Sequence, residues 1–241
     1  MGNRIETRRE GRLLHIGLNR PEKRNALDLA MCGELVAAIE EAAADRGVGA
    51  ILLTGNGKAF CAGMDLDEIL TADTGVIDDV HERLFSIGSR IDKPLVAAVH
   101  GATLAGGTGL AANCHLVVAE EDARFGLTEI RIGLWPFLIF RAVAAALGER
   151  RAVELALTGR IFGAEEALRY GLVHHVASQS EAWRIAAEIA DASPTAIRAG
   201  MESVRESRGK SWGEAGEIAR RRREEVFRSP GFREGVRGWR K

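Results

Sequence analysis

The stretch from Pro94 to Ala112, PLVAAVHGATLAGGTGLAA, decides the fold. Leu95 to Val99 is an apolar run too short for a helix, closed by His100-Gly101, and it reads as a buried strand. Gly101, Gly106, Gly107 and Gly109 follow, and the next apolar run opens a helix. A strand, a glycine turn and a helix start together favour negative charge. The first helical N–H groups lack partners, the helix dipole is positive there, and glycine admits a ligand to the backbone. The segment therefore predicts that a developing anion is held near Gly106-Gly107.

On either side, strand and helix patterns alternate. Leu13–Leu18 alternates like a strand and stops at Asn19-Arg20-Pro21. From Asp28, a predicted N-cap, Met31, Leu35 and Ile39 recur at four-residue spacing on one helix face, and Gly47-Val48-Gly49 ends it. Ala50–Leu53 reads as a second buried strand. Residues 71–78 lack periodicity and read as a flexible insertion, with a helix from His81 to Ile91. Further strands are expected at His115–Ala119 and Leu172–Val176, and helices at Ile139–Leu147, Ala152–Leu157 and Ala164–Tyr170. From Glu181 onward only helical periodicity remains, broken at Ser193-Pro194 and Ser229-Pro230-Gly231. The expected class is α/β, with a core over 1–180 and a helical region over 181–241.

Bulk composition narrows the function. At 241 residues and 46% hydrophobic, the chain can bury one full core. A net charge of −1 argues against nucleic acid as a partner. Arg220–Arg223 lies among glutamates and reads as a solvated helix face. Cys32, Cys61 and Cys114 form no C-x-x-C, which suggests neither disulfides nor a metal site. No apolar run approaches membrane-spanning length, and the first ten residues lack the apolar middle of a signal peptide, so a cytoplasmic location is expected. Residues 107–112 match the dinucleotide pattern G-x-G-x-x-A. However, two strands precede them, and the next strand ends at Ala119-Glu120, too soon for the acid that binds ribose.

Several stretches are specific in combination: N-R-P-E-K-R-N-A-L at 19–27, T-G-N-G-K-A-F-C-A-G-M-D-L at 54–66, and K-P-L-V-A-A-V-H-G at 93–101. The series continues with A-G-G at 105–107, F-G-L-T-E-I-R-I-G-L at 125–134 and L-T-G-R-I-F-G-A-E-E-A-L-R-Y-G-L-V at 157–173. In this order the chain resembles the crotonase superfamily, the enoyl-CoA hydratase/isomerase family, over nearly its whole length. The resemblance implies a spiral of repeated ββα units with a helical C-terminal region that builds trimers or dimers of trimers. It also implies an acyl-CoA thioester substrate, with coenzyme A present as part of that substrate and no permanently bound cofactor. The thioester oxygen would lie between the N–H groups of Met64 and Gly106. Ala62, Asp65, Leu66 and Asp67 would wrap the adenine and pantetheine end, Arg24 and Ala26 would line the nucleotide side, and Trp135 would shape the acyl pocket. Asp67 stands where some relatives carry lysine.

The same resemblance addresses the chemistry. Typical hydratases carry two glutamates, one three residues past the middle glycine and one after the next strand. Here the first position is Gly109 and the second is Glu129. Hydration uses two proton-handling groups, whereas moving a double bond needs one carboxylate and an oxyanion site. The expectation is an enzyme of enolate chemistry, with isomerisation at least as well supported as hydration. The alternative within the family is a non-catalytic acyl-CoA-binding member. Phe137 stands where the dehalogenase branch carries its nucleophilic aspartate. Thr108 points elsewhere on its helix, and His100, His174 and His175 read as structural.

Overall fold

The computed structural model describes residues 3–71 and 73–239. β1 (Ile5–Glu10) and β2 (Leu13–Leu18) form an antiparallel hairpin. α1 (Leu29–Ala44) crosses to β3 (Ala50–Gly55), which pairs in parallel with β2. α2 (Leu66–Ile69), α3 (Thr74–Phe85) and α4 (Ile87–Arg90) lead to β4 (Leu95–Val99), parallel to β3. β5 (Ala102–Leu104), α5 (Gly106–Ala112), β6 (Leu116–Ala119) and β7 (Arg124–Gly126) follow, then a 3-10 turn over Thr128–Ile132. The remaining elements are α6 (Phe137–Leu147), α7 (Glu149–Thr158), β8 (Phe162–Gly163), α8 (Ala164–Tyr170), β9 (His175–Val176), α9 (Gln179–Asp191), α10 (Pro194–Ser207), α11 (Trp212–Arg228) and α12 (Pro230–Trp239).

The strands form a six-stranded sheet in the order β1-β2-β3-β4-β6-β9 and a three-stranded sheet in the order β5-β7-β8. The two-residue strand period explains why the central strands are apolar throughout. On one face, Ile51 and Leu53 of β3 and Leu95, Ala97 and Val99 of β4 pack with Met31, Leu35 and Ile39 of α1. On the other, Leu52, Val96, Ala98 and Val118 meet Ala182, Ala186 and Ala190 of α9. Those three alanines sit one turn apart on one stripe, so α9 lies close against the sheet. The expected boundary at 180–181 thus falls inside a helix that packs on the core. Asp28 caps α1 as expected, its side chain accepting the Met31 N–H at 2.8 Å.

Four expectations are corrected. The chain does not turn directly from β4 into the helix: Gly101 (φ +53°) redirects it into β5, which pairs with β7 in the second sheet. Residues 73–78 are not a loose insertion, because α3 begins at Thr74, where Asp73 accepts the N–H groups of Gly75 and Val76. Ala72 of that stretch lies outside the described residues. α6 begins two residues early, at Phe137. The last strand keeps only His175–Val176, since Leu172 and Val173 donate their N–H groups to the Ala167 carbonyl at the end of α8. Among the described residues, no helix is long and apolar enough to cross a membrane.

Candidate active site

Two backbone segments meet where the sequence placed an anion site. The 59–65 loop is laced to the strand after His100. Phe60 N–H donates to the His100 carbonyl and Cys61 N–H to that of Ala102, while the Cys61 carbonyl accepts from Leu104 N–H. The start of α5 packs directly on this loop: a Cβ on Gly107 would stand 2.1 Å from the Cys61 carbonyl oxygen, so only glycine fits. Further along, Leu27 N–H donates to the Gly63 carbonyl and Asp65 N–H to that of Leu27. Successive amides of an extended chain point to opposite sides, which turns the Met64 N–H away from Leu27.

Ala105 precedes α5 with φ +50° and ψ −120°, a conformation unfavourable for a residue with a Cβ. It is held there because its N–H donates to the Gly126 carbonyl at 2.8 Å and its carbonyl accepts the Gly109 N–H at 3.1 Å. The strain fixes the direction of the next amide, that of Gly106. Among the described residues, neither the Met64 nor the Gly106 N–H has a hydrogen-bond partner. Both residues line a cavity of about 670 Å³.

Glu129 lines the same cavity from the 3-10 turn. It is only 5% exposed, and its Oε2 is buried with no partner among the described residues. Burial raises its pKa from 4.5 to about 7, an effect that its own backbone N–H offsets only in part. A carboxyl poised there can both accept and return a proton near neutral pH.

The wall opposite Gly109 explains the missing acid. A Cβ at residue 109 would lie 2.3 Å from Ile139 Cγ2 and 2.4 Å from Ile139 Cβ, and Ile139 itself lines the cavity. The space a second glutamate would enter is filled by hydrocarbon. Thr108 is likewise removed from the chemistry: its hydroxyl donates to the Thr103 carbonyl at 2.6 Å and accepts the Gly126 N–H. Trp135 lines the cavity, its indole 5.7 Å from the Phe140 ring, and Phe137 stands 69% exposed on the cavity wall. His100 spans Gly57 and Gln179, and His174 Nδ1 accepts the Val117 N–H. Neither lines the cavity.

The segments expected to meet coenzyme A are adjacent. Ala62 N–H donates to the Arg24 carbonyl, and Lys23 reaches Asp67 at 3.0 Å, leaving Arg24, Leu66 and Asp67 exposed and Ala26 half-buried. The Asp65 side chain faces the protein instead. It pairs with Arg20 at 2.7 Å and accepts the Asp67 N–H. Burial works against its ionisation, but the Arg20 hydrogen bond and charge outweigh it and keep the carboxyl below its ordinary range. Asn25 is fully buried in a left-handed conformation (φ +54°) and ties Arg20 N–H to the Asn56 and Ala59 carbonyls. Sequence reading did not single out Arg20, Asn25 or His81. Only the N-R-P-E-K-R-N-A-L motif marked the first two, and His81, which lines the cavity, carried no motif. Among the described residues, no group of three or more His, Cys, Asp or Glu side chains could hold a metal ion.

A buried carboxyl and two unpaired backbone amides thus line one largely apolar cavity. Residues 8–240 match the family model described as enoyl-CoA hydratase/isomerase. A putative enoyl-CoA hydratase of Thermus thermophilus is 41% identical over 78% of this chain and 79% of its own length. The 2,3-dehydroadipyl-CoA hydratase of Escherichia coli is 36% identical over 83% of this chain and 80% of its own. Among solved structures, an enoyl-CoA hydratase of Mycobacterium smegmatis superposes with a TM-score of 0.92 at 29% identity, covering 98% of this chain and 95% of that one. A putative enoyl-CoA hydratase/isomerase (crotonase) of Legionella pneumophila does so with a TM-score of 0.88 at 27% identity, covering 98% and 96%. The chain belongs to the enoyl-CoA hydratase/isomerase family, and its fold is that of the crotonases.

Proposed function

We propose that the protein moves the double bond of a 3-enoyl-CoA thioester into conjugation, using Glu129 as its single proton carrier. The Glu129 carboxylate takes a proton from C2. The electron pair moves through the C1–C2 bond onto the thioester oxygen, giving a dienolate. The Met64 and Gly106 N–H groups receive that oxygen. The same carboxyl, now protonated, returns the proton to C4 as the dienolate collapses to the 2-enoyl thioester. Each preorganised amide donor is worth about 3–4 kcal/mol of barrier in sites of this kind. Coenzyme A would lie along the edge formed by the exposed Arg24, Leu66 and Asp67 and the half-buried Ala26 and Ala62. Asp65 would act there through its pairing with Arg20, and Trp135 would bound the acyl group.

The observation that carries this reading is the contact between the Gly109 Cβ position and Ile139, which leaves no room for a second carboxyl at residue 109. Among the described acids that line the cavity, Glu129 is the buried one, with an oxygen that has no partner. Hydration is the second reading, favoured by the names of the relatives. Ultraviolet absorbance of the conjugated thioester separates the two. With a medium-length 3-enoyl-CoA, growth to a stable plateau supports isomerisation. Growth followed by decay supports hydration, and a flat trace with crotonyl-CoA also inert overturns both.

We also propose self-association into trimers or dimers of trimers through the C-terminal helices. Their exposed Val204, Trp212 and Phe227 support this, and light scattering tests it.

A further inference from the structure

His81 lies on α3, in the wall of the cavity that holds Glu129, Met64 and Gly106. It is 3% exposed, and among the described residues neither ring nitrogen meets a hydrogen-bond partner. Its nearest ring is Phe85, with centroids 5.9 Å apart. Around it the cavity is mostly hydrocarbon, from Ile69, Ile77, Leu138 and Ile139. A ring nitrogen without a protein partner in the wall of a ligand cavity is commonly satisfied by the ligand.

The fold supplies a ruler for where along a ligand that contact falls. Phe85 stands beside the amide pair, its Cζ 3.2 Å from where a Cβ on Gly106 would be. His81 lies one helical turn before Phe85 on the same face, which is about 6 Å along α3. An extended chain advances about 3.3–3.6 Å per three bonds, so 6 Å corresponds to about five bonds. An acyl group with C1 at the amide pair and its tail along α3 brings C5 or C6 opposite the imidazole.

Resting on the acyl-CoA reading above, we propose that His81 is a specificity-determining residue that selects acyl groups bearing a neutral oxygen, a hydroxyl or a ketone, at C5 or C6. A neutral imidazole offers one donor and one acceptor, which matches such an oxygen. Burial lowers the pKa of His81, against a smaller opposing pull from Asp78, so the neutral ring is the form present at pH 7. The charged groups around it disfavour an acyl carboxylate. Asp78 and Asp79 lie on the same helix, Glu82 is engaged by Arg141 of α6 at 2.6 and 2.8 Å, and Glu129 faces the cavity from the 3-10 turn.

Calorimetric binding of hexanoyl-, 5-oxohexanoyl-, 6-hydroxyhexanoyl- and adipyl-CoA to wild type, His81→Phe and His81→Gln tests this without requiring turnover. Wild type is expected to bind the oxo or hydroxy ligand about tenfold more tightly than hexanoyl-CoA, the equivalent of one good hydrogen bond, and adipyl-CoA least well. His81→Phe should lose that preference while still binding hexanoyl-CoA, and His81→Gln should retain part of it. Equal or tighter binding of hexanoyl-CoA by wild type, a preference that survives in His81→Phe, or tightest binding of adipyl-CoA overturns the assignment. Binding of none of the four overturns the acyl-CoA reading itself.

Discussion

Replacing Glu129 with glutamine should remove a pH-dependent destabilisation that the wild-type enzyme carries. Burial favours the neutral carboxyl, raising its pKa from 4.5 in the unfolded chain to about 7 in the fold. Between these values the folded protein binds more protons than the unfolded one, so stability falls as pH rises, at about 1.4 kcal/mol per unit. Below 4.5 both states are protonated and nothing is lost; above about 7 both are ionised and the loss is complete. The full interval amounts to about 3 kcal/mol. Glutamine does not titrate, while every other group titrates alike in both proteins. Urea unfolding of both, at fixed protein concentration, at about pH 4.5 and about pH 8.5 isolates the effect. The stability difference between variant and wild type should shift by about 3 kcal/mol in the variant's favour on going to the higher pH. Any constant cost of burying the amide cancels in that comparison. Parallel stabilities, within about 1 kcal/mol across the interval, would refute the burial argument for Glu129.

The same titration should appear in catalysis: kcat/KM for isomerisation should rise with pH through about 7 and level off, and a profile flat from pH 5 to 9 would exclude Glu129 as the base. Gly109→Ala places a Cβ 2.3 Å from Ile139 Cγ2 and should cost about 1–3 kcal/mol, read by urea unfolding. Because Ile139 Cβ is itself 2.4 Å away, Ile139→Gly should relieve the clash where Ile139→Ala does not, and a double-mutant cycle measures the coupling. Asn25→Ala should cost about 2–4 kcal/mol, since it strips a buried residue of hydrogen bonds to Arg20, Asn56 and Ala59. A loss below about 0.5 kcal/mol in the same assay would show that this loop is held by other contacts.

What the sequence made legible follows from which interactions are local. β4 and β3 could be read because strands buried on both faces are apolar without interruption, and α1 because its cap and periodicity lie within one segment. β1 was missed because, as a sheet edge, it buries only Ile5, ahead of the polar run Glu6-Thr7-Arg8-Arg9-Glu10. β5 was missed because its three residues gain strand character only from pairing with β7. The start of α3 was missed because threonine and glycine have weak helix propensity. There Asp73 supplies the cap, and the buried Ile77 supplies the packing. At the site, Met64, Gly106 and Glu129 were reached through motifs, and all three line one cavity. The Ile139 contact, the Arg20–Asp65 pair and the inward imidazole of His81 join residues far apart in the chain, which no local pattern encodes.

In the proposed reaction one buried carboxyl carries one proton from C2 to C4. A 3-enoyl-CoA deuterated at C2, turned over in ordinary water, tests it directly by mass spectrometry of the product. Part of the deuterium should appear at C4, because the shielded Glu129 carboxyl returns what it took, and Glu129→Gln should slow the transfer by a hundredfold or more, within the range of about 10²–10⁴ for acid–base groups. A product with no label at C4, formed equally fast by Glu129→Gln, would contradict it.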